Sequence, residues 1–164
     1  MRYDITMTIE DPPGPFGSVT GFVQYEVSNN KCVPEDPLAG VRVTPSTNPR
    51  ITFTRISDNV YTATVYADLI KDKDYYGRGT CHWSMTAVVA ELKTNDVTLG
   101  PNIGYEDMAA RKPNTTYFSK EFYSKSDVPD LSDPGIPYSR YSKLDPDDRI
   151  DFFAITITAK EHFE

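Results

Sequence analysis

The sequence predicts an all-β chain, and three observations carry that prediction. Apolar residues recur with period two in run after run, the pattern of strands with one buried face. These runs are rich in β-branched and aromatic residues, which suit a pleated, half-buried surface. Gly, Pro, Asn and Asp separate the runs, and no segment sustains the 3.6-residue period of an amphipathic helix. Short strands divided by turn signals assemble most simply as a single-domain antiparallel β-sandwich spanning residues 1–164.

The elements follow in order. Residues 3–9, YDITMTI, set Tyr3, Ile5, Met7 and Ile9 against Asp4, Thr6 and Thr8. Residues 18–27 place Val19, Val23, Tyr25 and Val27 on one side. A short strand is expected at 40–45, bounded by Pro37 and Pro45. Residues 51–57 and 60–69 flank Asp58-Asn59, a good hairpin turn. The longest run, 81–92, puts Cys81, Trp83, Met85, Ala87 and Val89 on one face and His82, Ser84 and Thr86 on the other. Residues 115–124 form the next strand, and 150–161 close the chain. The total is seven to eight strands, with single helical turns expected at 67–76 and 105–112.

One segment breaks the rhythm. Residues 100–149 hold six prolines and five tyrosines. From Ser126 to Asp148 there is no periodicity, so one long irregular loop is expected there. Ordered loops on a rigid scaffold carry binding and catalytic residues disproportionately often.

Composition narrows the function classes. A net charge of -7 and an isoelectric point near 4.8 argue against nucleic acid, whose phosphates want a Lys/Arg-rich face. No stretch approaches the roughly 20 apolar residues of a membrane-spanning helix. MRYDITMTIEDPP lacks the charged start and apolar middle of a signal peptide. That leaves a cytosolic protein, or an exported region in which Met1 replaces a removed signal.

Residues 75–84, YYGRGTCHWS, put Cys81 beside His82. Neighbours in a strand point to opposite faces, so these two make no nucleophile–base pair. Two cysteines without a C-x-x-C lack the ligand spacing of zinc. Cys81 and Trp83 are expected to point inward, with Cys32 at the end of a strand. A Cys32–Cys81 disulfide would close a loop of about 50 residues, worth about 4 kcal/mol in the chain-entropy model. Tryptophan beside a disulfide is a familiar sandwich-core arrangement. The alternative is two buried thiols in a reducing cytosol; a pair with no other job fits an oxidising compartment better. Tyr75, Tyr76, Arg78 and His82 then form an exposed patch beside the Gly77/Gly79 turn.

Other chemistry is sparse. DPDDRID (145–151) has the oxygen density calcium likes, but not the glycine and terminal Glu of an EF-hand, so solvated turn carboxylates are expected. No serine sits in G-x-S-x-G or S-x-x-K, and there is no glycine-rich phosphate loop. Asn114-Thr115-Thr116 is a formal glycosylation sequon. No catalytic residue, metal or cofactor is expected.

CVPEDPLAGVRVTP (32–45) followed by VYTATVYADLIKDKDYYGRGTCHWSMTAVVAEL (60–92) resembles small Gram-negative periplasmic lipoproteins that carry a Y-[YF]-G-x-G-x-C-x-W segment, here Tyr75 to Trp83. Some of those proteins are immunity partners of secreted antibacterial toxins, including type VI secretion effectors. The resemblance, over residues 32–92, implies a non-catalytic periplasmic protein that binds and neutralises a cognate toxin, with a lipid anchor on the precursor. The lipid-bearing N-terminal cysteine of that family has no counterpart here, as follows if Met1 replaces the removed signal. The acidity suits a toxin with a basic face. Tyrosine and arginine dominate interface hot spots, which makes Tyr105, Tyr117, Tyr123, Tyr138, Arg140 and Tyr141 the expected partner-binding residues. A carbohydrate- or cell-envelope-binding sandwich with tyrosine platforms is the competing expectation. A calcium-dependent or glycosidic enzyme using the DPDDRID carboxylates is a third.

Overall fold

The computed structural model describes residues 1–125 and 129–163. Two sheets pack face to face, as expected for a sandwich. In chain order the strands are β1 (Arg2–Glu10), β2 (Ser18–Val27), β3 (Ser46–Thr47), β4 (Arg50–Thr52), β5 (Thr54–Ser57), β6 (Val60–Tyr66), β7 (Trp83–Thr94), β8 (Val97–Leu99), β9 (Asn102–Gly104), β10 (Asn114–Ser119), β11 (Leu131–Asp133), β12 (Ile136–Pro137) and β13 (Phe152–His162). Short helices α1 (Tyr105–Ala109), α2 (Lys120–Tyr123), α3 (Tyr138–Tyr141) and α4 (Pro146–Arg149) lie between them. One sheet runs β12-β10-β13-β1-β6-β5. The other runs β11-β8-β7-β2-β3, with β4 also on β2 and β9 also on β7.

The period-two pattern places the core. Tyr3, Ile5, Met7 and Ile9 of β1 are buried against Val23, Met85, Val88 and Leu99 of the facing sheet and beside Ile155 and Ile157 of β13. Tyr25 is fully buried, and its hydroxyl donates to the Tyr66 carbonyl. That burial pushes the Tyr25 hydroxyl up to about 12, with Asp68 adding to it.

Several expectations need correction. Residues 40–45 are not a strand. Gly40 is left-handed (φ 67°) and closes a turn on Asp36, so pairing with β2 starts only where the Pro45 carbonyl accepts the Val27 N–H. Residues 51–57 are two strands, because the chain changes sheets at buried Phe53: β4 pairs with β2 and β5 with β6. The alternation of 81–92 breaks at a β-bulge, where Gln24 opposes Ala87 but Tyr25 opposes Met85. The extra residue, Thr86, shifts the phase, so Val88, Ala90 and Leu92 are buried in place of Ala87 and Val89. Residues 67–76 make no helix; they lead into a hairpin closed by the Lys73–Cys81 bridge. The strand expected over 115–124 ends at Ser119, whose hydroxyl accepts the Glu121 N–H and starts α2.

The long loop is also more ordered than its sequence predicts. Of residues 126–148, the first three lie outside the described residues; the rest form β11, β12, α3 and the start of α4. β11 lies parallel to β8, the exception to an otherwise antiparallel fold. After β11 the chain turns at Pro134-Gly135 and joins the other sheet as β12. Both flanks of the sandwich are thus closed by a segment that passes from one sheet to the other, β4 to β5 and β11 to β12. Pro45, Pro49, Pro134 and Pro137 lie along these segments, and β5 is short, bulged and charged at Arg55. Such edges resist pairing with a second copy.

Candidate functional site

The two ends of β1 define two candidate regions. At its Tyr3 end, Cys32 and Cys81 form a disulfide, with Cα atoms 5.3 Å apart. Both cysteines are buried with Val27 and Val33, and Trp83 packs against them. A disulfide points to an oxidising compartment. The bond ties together two loops, 28–45 and 67–82. Asn29 strengthens the tie, its Nδ2 donating to the Thr80 carbonyl (2.7 Å) and its Oδ1 accepting the His82 N–H (2.6 Å).

His82 is exposed and faces away from Cys81, as alternation requires. Its Nδ1 lies 2.8 Å from Asp72 Oδ2, while Asp72 Oδ1 accepts the Trp83 N–H. These two hydrogen bonds hold the Asp72 carboxyl below its ordinary value. Asp74 Oδ1 accepts the N–H groups of Gly77 and Arg78, which shapes the glycine turn. In the other loop, Asp36 Oδ1 accepts the N–H groups of Ala39 and Leu38, and these bonds lower its carboxyl in turn.

A pH response follows from these two acids. A carboxyl whose folded pKa is depressed stabilises the fold above its unfolded value and loses that contribution as pH falls through the folded value. Both loops therefore stay closed at neutral pH and loosen only as pH falls through the depressed folded values, below the ordinary aspartate range of about 4. Amide exchange of Leu38, Ala39 and Trp83 is expected to accelerate there relative to core amides of β1, after correction for intrinsic rates. Protection that stays unchanged down to the lowest pH at which the β1 core amides remain protected would show that the carboxylates do not hold the loops.

Beside the disulfide lies an open groove of about 610 Å³, lined by Ala67, Ile70, Trp83, Met85 and Tyr105 among others. Tyr105 packs edge-on against Tyr3, with ring centroids 6.2 Å apart.

The opposite end of β1 holds the other tyrosines. Tyr117 on β10 stacks on Tyr141 of α3, with centroids 3.7 Å apart and planes 5° from parallel. Tyr138 lies 6.3 Å from Tyr117, Phe152 packs on Tyr141, and the Arg149 guanidinium sits 5.8 Å over the Tyr141 ring. Arg149 also donates to the carbonyls of Leu144 and Ser142, which fixes the turn between α3 and α4. Tyr123 acts as internal glue: its hydroxyl donates to the Pro15 carbonyl and its ring meets Phe16 edge-on.

The six expected contact residues therefore divide three ways. Tyr117, Tyr138, Arg140 and Tyr141 come together, Tyr123 is packed into the scaffold nearby, and Tyr105 lies at the far end. Within the cluster, Tyr138 is 64% exposed and Arg140 is exposed, whereas Tyr117 and Tyr141 cover each other. Sequence reasoning missed that mutual stacking, since the two rings stand far apart in the chain. Around them, residues 129–151 carry six acids and three basic groups, which makes this end acidic.

Among the described residues no three His, Cys, Asp or Glu side chains are grouped to hold a metal ion. The DPDDRID carboxylates sit on and beside α4. The Asn114 amide of the sequon donates to the Asn102 carbonyl at 2.6 Å, within strand β10. No described helix is long and apolar enough to cross a membrane.

Comparison with known proteins returned no match: no family model, curated protein or solved structure matches the chain.

Proposed function

We propose that this is a non-catalytic protein-binding module, a periplasmic immunity protein that binds and neutralises a cognate secreted toxin. The observation that carries this reading is the pre-organised aromatic end. Tyr138 and Arg140 stand exposed on a helical turn braced from beneath by the Tyr117–Tyr141 stack and Arg149. Bracing lowers the entropy lost when such side chains are immobilised in an interface, and exposed tyrosine and arginine are the usual anchors. The surrounding acids would speed encounter with a basic toxin face. The disulfide is consistent with an exported protein.

Co-expression with any toxic product of the genes adjacent to this one tests the proposal. The intact chain is expected to restore growth, and Tyr138→Ala with Arg140→Ala to weaken toxin binding by about 2 kcal/mol or more, roughly 30-fold. Calorimetry on the purified pair measures that change. Wild-type affinity in the double variant would remove this surface from the interface.

The groove between Trp83 and Tyr105 favours a second reading, a carbohydrate- or cell-envelope-binding module. Aromatic walls with Asp68, Lys71 and Ser84 at the rim suit a sugar face with hydroxyl contacts. Quenching of Trp83 fluorescence by periplasmic glycans would support it; no response at millimolar glycan would set it aside.

A further inference from the structure

The edge of β7 is open where it runs beside the groove. β9 pairs with β7 only at Ala87, Val88 and Val89, and the chain then turns into α1 at Tyr105, so no described strand lies beside residues 83–86 on that side. The ladder to β2 fixes which backbone groups face the gap. The N–H groups of Val23 and Val27 donate to the Pro49 and Pro45 carbonyls, away from β7, and the Ser28 N–H donates to the His82 carbonyl. Trp83 and Met85, opposite Val27 and Tyr25, therefore turn their N–H and C=O groups away from β2. Asp72 Oδ1 accepts the Trp83 N–H from that side. The Trp83 carbonyl and both backbone groups of Met85 face the gap with no described strand to receive them. An edge of this kind is a template for a further strand.

The space beside this edge indicates what fills it. The groove of about 610 Å³ and a second hollow of about 400 Å³ share Met85 and Tyr105, so they form one trough along the open edge, with Ala67 and Ile70 also lining it. Its charges are unevenly placed. In the first hollow Asp68 and Asp72 are engaged by the terminal amine and His82, which leaves Lys71. In the second, Glu106 and Asp107 make no ion pair among the described residues. Arg111 and Lys112, which follow α1, line neither hollow. Glu26, opposite Ser84 on β2, adds a further negative charge beside the edge. An apolar trough with unpaired backbone groups along one wall and free carboxylates at one end is complementary to an extended peptide that carries a cation.

We propose that an extended peptide pairs with the open edge of β7, sets an apolar side chain against Ile70 and Tyr105, and places a lysine or arginine beside Glu106 and Asp107. This goes beyond the toxin-binding reading, does not depend on it, and gives the groove a different occupant from a glycan.

An end-blocked synthetic peptide of alternating valine and lysine, about six residues long as strands usually are, tests it when titrated into the intact chain. Trp83 fluorescence reads binding and amide exchange at Met85 reads strand pairing. The Met85 amide is expected to exchange faster than that of Val88 in the free chain, and to slow about tenfold at saturating peptide. The fully N-methylated peptide should give no such protection, and an alternating valine–glutamate peptide should bind at least about tenfold more weakly. Glu106→Gln with Asp107→Asn should lower affinity for the valine–lysine peptide about fivefold, while Tyr138→Ala leaves it unchanged. A thermal melt of each variant confirms the fold, and Glu106→Gln alone replaces the pair if the pair melts early. Failure of the valine–lysine peptide to bind at a few millimolar overturns the proposal, as does binding that leaves Met85 exchange unchanged or is matched by the valine–glutamate peptide. Quenching of Trp83 by a glycan, with the valine–lysine peptide ignored, would assign the groove to sugar and equally overturn it.

Discussion

Replacing Cys32 and Cys81 together by serine is expected to lower the free energy of unfolding by about 4 kcal/mol, and the melting temperature by roughly 10 °C for a chain of this length. The two residues are separated by 49 positions, so the bond removes a large loop-closure entropy from the unfolded chain. Burial adds to the cost, because Cys81 is fully buried and Cys32 nearly so, and two serine hydroxyls would stand where sulfur now packs on Val27 and Trp83. Urea melts of wild type, reduced wild type and the double variant, followed by Trp83 fluorescence, measure the effect. Trp83 is the one tryptophan in the chain and touches the bond, so it reports on the right place. Reduction should reproduce most of the loss without any mutation. A change below about 1 kcal/mol would show that Asn29 and the buried valines hold the two loops unaided.

The same bond shows what could be read from the sequence and what could not. Strand alternation separated Cys81 from His82 and paired Cys81 with Trp83 facing inward, because those facts depend on local geometry alone. The same reasoning failed four residues further on. It placed Ala87 and Val89 inside, and the bulge at Thr86 put Val88 and Ala90 there instead. A bulge is set by the partner strand, and nothing in residues 81–92 announces it. Strands β8 and β9 were missed for a related reason: at three residues each they carry too little periodicity, and they exist because β7 offers them an edge. Within the candidate contact set, sequence located the aromatic loop. The stacking of Tyr117 on Tyr141 depends on β10 and α3 meeting in space, so which tyrosines remain available became visible only in the fold.

Seen along β1, the acidic aromatic cluster forms the outer pole of the sandwich, beyond Ile9.

The outer pole depends on one glycine. Gly135 lies in the turn from β11 to β12, at φ 71°, with its N–H donated to Asp133 Oδ1 at 2.9 Å. A Cβ there would stand 2.5 Å from Thr116 Cγ2, 2.8 Å from Phe118 Cε1 and 2.9 Å from the Tyr117 carbonyl oxygen. Phe118 is fully buried and Tyr117 is in the ladder with Ile136, so neither can move aside cheaply. Gly135→Ala is therefore expected to cost about 3 kcal/mol, of which 1–2 is left-handed backbone strain and the rest overpacking. Gly40→Ala is the matched control. It too is left-handed, at φ 67°, but its Cβ would meet nothing within 4 Å, so only the same strain of about 1–2 kcal/mol remains. Relief of the clash in Gly135→Ala should come by release of β12 from β10, which frees α3 and the side chains of Tyr138 and Arg140 from their brace. Urea melts give the stability difference, and amide exchange at Ile136 reads the release directly. Under the proposed toxin-binding reading, affinity should fall in Gly135→Ala even though no proposed contact residue has changed, because the entropy that bracing had removed must then be lost on binding. Equal costs for the two glycines would mean that the crossing from β11 to β12 is not closely packed, and the preorganised outer pole would lose its structural basis.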